Sequence, residues 1–379
     1  MTINNSKTKV VHFRNITVPV TKHAFKIGGS DITVESKYKY LGLYLDQHLD
    51  MSVTVNYVAK AAQRALGLLI AKDKCHGGMP IEIFTKLYDT LVQSVINYGA
   101  MVWGQTSYSV INNVQNRAAR YFLGVHKRAP NAMVNGDIGW TAPSARLWAC
   151  VSNHWARLVN MDRSRITYKV FRWSYNLALR NNKNWCYRAI KQFNKLEINS
   201  NIDGDDVSKN VIKRTISKRI QEQVCEQWVM DLNRNAAKQG EGGNKLRLYR
   251  TFKHDYHLEP YVEANLSRQQ RSSLAKFRAG IAPINIEIGR FRGLPVAERV
   301  CPRCPQSVED ELHVLLHCPC YSDIRKDMFN DIKCLMGGDV VENLNETEKL
   351  GLILSDKKIV KVSARACKLI LEKRRSLIT

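Results

Sequence analysis

Long apolar runs are missing from this sequence. No stretch of its 379 residues approaches the roughly 18 to 20 consecutive apolar positions that a membrane-spanning helix needs, so no membrane partner is expected. The opening residues, MTINNSKTKVVHFRN, lack the apolar core of a secretory signal, which places the expected location inside the cell, in the nucleus, the cytoplasm or both. Acidic residues are scarce: 34 Asp and Glu stand against 58 Lys and Arg, leaving a net charge of +24. A surplus of this size points to a polyanionic partner, RNA or DNA. No segment repeats at a fixed period, so a solenoid has no support. No arrangement of nucleophile and base supports a hydrolytic enzyme, and no small-molecule substrate is expected.

A disulfide framework is also absent. Six of the ten cysteines, Cys75, Cys150, Cys186, Cys225, Cys334 and Cys367, lie far apart, as reduced core thiols do. The other four crowd into CPRCPQSVEDELHVLLHCPC, residues 301–320, together with two histidines. Cys301, Cys304, His313 and Cys318 follow the spacing C-x2-C-x8-H-x4-C. A CxxC pair can present two thiolates from one tight turn, and the helical periodicity of EDELHVLLH can return His313 and Cys318 over it. Four soft N and S donors suit a structural Zn2+, because a filled set leaves no position for water. His317 and Cys320 are surplus donors that could replace a neighbour at shifted spacing.

What the chain does contain is mostly helical pattern. Between 10 and 45 the runs VVHF, HAFKI and DITVE are β-rich, and the GGS between the last two suits a hairpin. From 51 onward Val55, Val58, Ala62, Leu66 and Leu69 fall on one helical face. Pro80 opens a second helix, read with Ile83, Leu87, Leu91 and Tyr98 on its apolar face, and a third runs over about 108–123 before Gly124 and Pro130. Helices are also expected over 143–160, 164–180 and 209–238, with polar breaks at NSNIDGDDVSKN and QGEGGNK.

The residues around the cysteines resemble the C-terminal region of the reverse transcriptases of non-long-terminal-repeat retrotransposons. That resemblance rests on Arg299, Cys301, Pro302, Cys304, Glu311, His313, Leu315, Leu316, Cys318 and Pro319. The other end agrees independently. Asn4, Lys7, Thr8 and Lys9 are similar to the Asn-x-x-Lys turn that follows the catalytic aspartates in the family. Tyr40, Leu41 and Gly42 look like its primer-side Tyr-Leu-Gly motif, and NYGAMVWG, 97–104, falls in the region that matches a thumb and connector.

The resemblance implies a mainly α, multi-part chain. It divides into end-of-palm strands (1–50), a thumb-like helical bundle (51–140), a helical connector (141–265), an arginine-rich segment with the zinc knuckle (266–325) and C-terminal helices (326–379). The aspartates that hold two Mg2+ for polymerisation have no counterpart here, since the chain begins after them. Asp203, Asp205 and Asp206, the one acidic cluster, sit in a polar break and do not match. Mg2+ is therefore expected only if a catalytic palm is supplied, and Lys7, which matches the family lysine proposed to assist pyrophosphate departure, has no role without it. The expectation is a nucleic-acid-binding fragment with no polymerase activity of its own.

Phosphate contacts need Lys and Arg sharing a face. Lys60 with Arg64 and Arg117 with Arg120 are so spaced, while Arg290, Arg292 and Arg299 belong to an arginine-rich surround of the knuckle that also includes Arg268, Arg271, Arg278 and Arg303. The seven tryptophans are read mainly as core, with base stacking as the minor reading. The alternative function is a domesticated zinc-knuckle adaptor that contacts proteins.

Overall fold

The computed structural model describes residues 4, 7–202, 209–234, 245–337 and 341–378, and the cluster Asp203, Asp205 and Asp206 lies outside them. The chain is mainly α with two short hairpins near its N-terminus, as expected. By packing it forms two compact units, residues 1–68, 89–114 and 143–218 in one and 69–88, 115–142 and 219–379 in the other.

The first unit contains the strands. β1 (Phe25–Ile27) pairs antiparallel with β2 (Ser30–Ile32), and β3 (Lys37–Tyr40) with β4 (Leu43–Asp46). Leu41 and Gly42 join the second pair with φ of 46° and 86°, the left-handed backbone that a two-residue hairpin matching strand twist requires. The Tyr98 hydroxyl donates to the carbonyl of Leu41, and a Cβ at Gly42 would lie 3.0 Å from Tyr98 Cε1. Thus the Tyr-Leu-Gly turn rests on the NYGAMVWG segment. Thr54, at the start of the helix Ser52–Cys75, accepts from Tyr44 N–H at 3.0 Å and ties that helix to β4. Upstream, Asn4 organises the N-terminal turn: its carbonyl oxygens accept from Lys7 N–H at 3.1 and 3.2 Å, leaving the Lys7 side chain exposed.

Helices Pro143–Val159, Ile166–Leu179 and Trp185–Lys195 enclose an aromatic core in the same unit. Trp155 meets Phe171 and Phe193 edge to face at 5.3 and 5.2 Å, and stacks on Trp185 at 5.9 Å. Such pairs contribute about 0.5–1.5 kcal/mol beyond their buried area. Trp185 Nε1 donates to Met101 O at 3.0 Å, so its polar atom is satisfied. Trp103, Trp140, Trp148 and Trp228 are also buried, and Trp173 is the exposed one, at 65%.

The helix after Pro80 differs from its expected face. Ile83, Leu91 and Tyr98 are exposed, while Ile81, Phe84, Tyr88, Val92 and Ile96 are buried. Ile81–Leu87 is α-helical but Tyr88–Gln93 is a π turn, so the chain advances about four residues per turn there and the buried positions follow at 88, 92 and 96. In the second unit Phe84 packs on Phe122 at 5.2 Å and Tyr88 stacks on Trp140 at 4.8 Å. Two large rings decide the face.

The second unit is built around helix Arg268–Arg278, opened by a capping box of Ser267 and Gln270 and packed against helix Val360–Ile378. Arg278 is fully buried. Its Nε and Nη2 donate to the two Asp137 oxygens at 3.0 and 2.9 Å, and Nη2 also meets Glu259 Oε2 at 2.7 Å. Tyr249 and Tyr261 donate to the same carboxylate at 2.9 and 2.7 Å. Removing an ion from water costs several kcal/mol, and this complete set of partners offsets that cost.

Candidate metal centre and basic surfaces

The segment 301–318 folds on itself through its backbone. Val300 and Val308 form an antiparallel bridge, Cys301 N–H donates to Ser307 O at 2.8 Å, and Cys304 N–H donates to Cys301 O at 3.2 Å, closing the CxxC turn. Asp310 Oδ1 accepts from His313 N–H at 2.8 Å and so caps the next helical turn. That turn, His313–His317, is of π type, and Cys318 N–H donates to His313 O at 2.7 Å. One wide turn thereby places an imidazole and a thiol side by side over the CxxC pair.

The four donor atoms of Cys301, Cys304, His313 and Cys318 lie within 4.8 Å of one another, a group that could hold a metal ion. Cys318 Sγ is 3.9 Å from Cys301 Sγ and 4.0 Å from Cys304 Sγ. Tetrahedral coordination at a metal–sulfur distance of about 2.3 Å separates two sulfurs by about 3.8 Å, so the thiols already stand at nearly the right spacing. His313 Nε2 is buried and has no hydrogen-bond partner among the described residues, an orphan that coordination would satisfy. Burial pushes the Cys318 thiol well above its ordinary value, and burial followed by the Cys301 sulfur raises Cys304. Burial also lowers the His313 imidazole. Burial thus disfavours the thiolate form of Cys304 and Cys318 in the absence of a cation. Of the surplus donors, His317 turns outward to Glu346 Oε1 at 3.0 Å, and Cys320 is outside the group.

Buried charge braces this knuckle. Glu309, 1% exposed, receives Arg374 Nε and Nη2 on its two oxygens at 2.7 Å each, and Asn285 N–H at 2.6 Å. Glu311 is also buried and pairs with Arg247. Arg299, expected among the nucleic-acid contacts, is corrected by its position: it is 2% exposed, and its guanidinium donates to Leu294 O at 2.9 and 2.6 Å and to Ile286 O at 3.1 Å. Gly289 makes room for it, since a Cβ there would lie 2.5 Å from Arg299 Cγ. Arg271 is likewise buried, donating to Phe122 O at 2.9 Å.

The remaining basic residues reach the surface in separate places. In the first unit Lys60 and Arg64 are exposed on helix Ser52–Cys75, where Tyr57 shares their face at i−3 and i−7. Lys39 joins them from β3: its Nζ donates to Tyr57 Oη at 2.7 Å, which lowers the tyrosine's pKa, with Arg64 a further minor cause. In the second unit Arg117 is exposed, whereas Arg120 is half-buried and donates to Ala129 O at 3.0 Å. Arg292 is exposed, and Arg290 pairs with Glu287 at 2.7 and 2.8 Å.

Sequence reading missed the group at Phe291. Its ring is 51% exposed and has Arg290 at 4.6 Å, Arg128 at 4.9 Å and Lys245 at 5.8 Å from its centroid. Arg128 and Lys245 lie 117 positions apart and the Lys245 ammonium donates to Arg128 O at 2.9 Å, so no local motif announces the cluster. Among the described residues no helix is long and apolar enough to cross a membrane. No family model, curated protein or solved structure matches this chain.

Proposed function

We propose that this chain binds RNA or DNA through basic surfaces held in place by a structural zinc knuckle, and that it corresponds to the thumb, connector and knuckle of a non-long-terminal-repeat retrotransposon reverse transcriptase. The observation that carries the reading is Phe291, an exposed ring set among three cations in a chain of net charge +24. An aromatic face offers stacking to a base of any identity while neighbouring cations meet phosphates. Lys60, Arg64 and Arg117 add sequence-independent phosphate contacts. Zn2+ suits Cys301, Cys304, His313 and Cys318 because it takes thiolate and imidazole tetrahedrally. With all four positions filled by protein, its contribution is folding energy for the knuckle.

Polymerisation is not part of the reading: the turns at Lys7 and at Tyr40, Leu41 and Gly42 resemble parts of a palm, and no residues of this chain match its paired aspartates. The test is titration of the purified chain with single-stranded RNA and DNA across salt concentrations. Affinity should fall with salt, with a slope of log affinity against log salt of about −0.7 per phosphate engaged. Salt-independent binding, or no binding, overturns the reading, and primer extension with Mg2+ overturns its non-catalytic part.

A second reading, a protein-binding adaptor, is favoured by one observation. Ile166, Val170 and Trp173 lie at i, i+4 and i+7 on helix Ile166–Leu179 and are 78%, 56% and 65% exposed. Such an apolar stripe suits a partner protein. A chain that fails to bind oligonucleotides and pulls down a defined protein only when Trp173 is intact would favour this reading.

A further inference from the structure

A cleft of about 490 Å3 opens in the second unit between helices Arg268–Arg278 and Val360–Ile378, away from the cysteine cluster. Its lining includes Arg268, Ser272, Lys276, Lys368, Glu372 and Arg375. Four cations thus face one carboxylate, and Glu372 is already matched to Lys368 at 3.6 Å. Arg374 also reaches the cleft, but its charge is balanced by Glu309.

Lys276 is the informative member. It is half-buried, and among the described residues its ammonium has no hydrogen-bond acceptor or carboxylate partner. Burial lowers its pKa, and the neighbouring Arg375 lowers it further. Partial burial of a cation next to another cation is unfavourable in the protein alone. An anion in the cleft would offset both with a charge-assisted contact to the ammonium and the guanidinium. The cleft also adjoins the Phe291 group in the fold: Ile288, one of its lining residues, lies on helix Asn285–Phe291, one turn before Phe291. One short helix therefore joins the cleft to the ring and the cations around it.

The geometry points to a phosphate-binding cleft in which Lys276 and Arg375 clamp the backbone of a single-stranded polynucleotide whose neighbouring base reaches Phe291. This rests on the nucleic-acid reading above and gives it a location. A free polyphosphate shares the chemistry, but it would leave the cations at Phe291 unused, which favours a strand. Arginine and lysine divide the work: a guanidinium holds two oxygens of one phosphate, and an ammonium acts as a point charge.

The full-length chain with zinc supplies the test, using a labelled oligo-uridine and, separately, inorganic tripolyphosphate. K276Q/R375Q should weaken oligonucleotide binding at least about tenfold and flatten the salt slope by about 1.4, two contacts at about 0.7 each. K276R should retain binding. The control K357Q/K358Q removes the same charge from an exposed site outside the cleft and should have a smaller effect. Among the described residues the Lys276 ammonium has no acceptor and its charge is unfavourably placed, so K276Q should melt no lower than the unmodified chain. If K276Q/R375Q does not fold, K276Q alone is compared with K276R.

Four outcomes overturn the cleft. The chain can bind oligo-uridine while the cleft and control pairs behave alike, which leaves the general nucleic-acid reading standing. It can lose tripolyphosphate but keep oligo-uridine, which assigns the cleft to small polyphosphates. K276R can bind no better than K276Q, which removes the cleft alone. The unmodified chain can fail to bind oligonucleotide at all, and then both readings fall together.

Discussion

Arg374 and Glu309 form a buried two-point pair, Nε to Oε1 and Nη2 to Oε2 both at 2.7 Å, that fastens the C-terminal helix to the strip of backbone between Cys304 and His313. Glu309 also uses its main chain, donating to Arg299 O at 2.8 Å and accepting from Ile286 N–H at 3.0 Å. One residue therefore couples the knuckle, the helix Asn285–Phe291 and the C-terminus. R374M or E309Q alone should cost about 3–5 kcal/mol, because each leaves an uncompensated buried group. The double variant should be less destabilised than the sum. Urea unfolding measures all three, and strict additivity would show that the two side chains do not depend on one another.

The metal requirement is testable by composition. Purified chain should carry one zinc, and C301S or C318S should lose it, since three remaining donors no longer close the tetrahedron. H317Q and C320S should keep it, because His317 faces Glu346 and Cys320 is outside the group. Chelation should lower the melting temperature of the whole second unit through Glu309 and Arg299, whose contacts depend on the knuckle's backbone. Metal analysis together with a melting curve checks both, and zinc retained by C318S would rule out this ligand set.

The candidate metal-binding group was legible in the sequence because its spacing is local: a CxxC turn and a helical return are short-range geometry, and the structure groups Cys301, Cys304, His313 and Cys318. The mainly helical class and the hairpin over GGS were legible through apolar period and turn residues. The hairpin turn at Leu41 and Gly42 was not read as one, and among the described residues the run VVHF forms only a single bridge, at Val10. Arg299 and Glu309 were not legible, because whether a charge is solvated or buried is decided by partners far along the chain. Periodicity also misplaced the buried face after Pro80, where Phe84 and Tyr88 rather than Ile83 and Leu91 turn inward, and the cations around Phe291 come from three separated segments.

Two arginines seven positions apart should now give opposite phenotypes. R299A removes three hydrogen bonds to the carbonyls of Leu294 and Ile286 and leaves them buried, so it should destabilise by about 2–4 kcal/mol, at about 1–3 kcal/mol per buried group left unsatisfied. R292A removes an exposed side chain and should change stability by less than about 0.5 kcal/mol while weakening oligonucleotide binding. Parallel melting and binding curves separate the two. A stable R299A that binds poorly would return Arg299 to the interface.

The hairpin turn at 41–42 makes the last prediction. Leu41 has a φ of 46° and is 72% exposed, so its left-handed backbone carries strain with little compensating burial. A non-glycine residue in that region costs about 1–2 kcal/mol. Replacing it by a residue that tolerates the conformation, L41N or L41G, should raise stability by up to about 1 kcal/mol. Gly42 should behave oppositely. G42A forces a Cβ onto a φ of 86° and to 3.0 Å from Tyr98 Cε1, so it should destabilise and disturb the hydroxyl contact from Tyr98 to Leu41 O. Y98F removes that hydrogen bond without the steric effect and should cost only about 0.5–1.5 kcal/mol. Chemical denaturation orders the series as L41N above the unmodified chain, then Y98F, then G42A. If L41N is stabilised yet oligonucleotide binding drops, the exposed leucine is retained for contact with the nucleic acid at the cost of turn strain. A destabilised L41N would mean that the leucine side chain holds the turn, and the strain argument would be wrong.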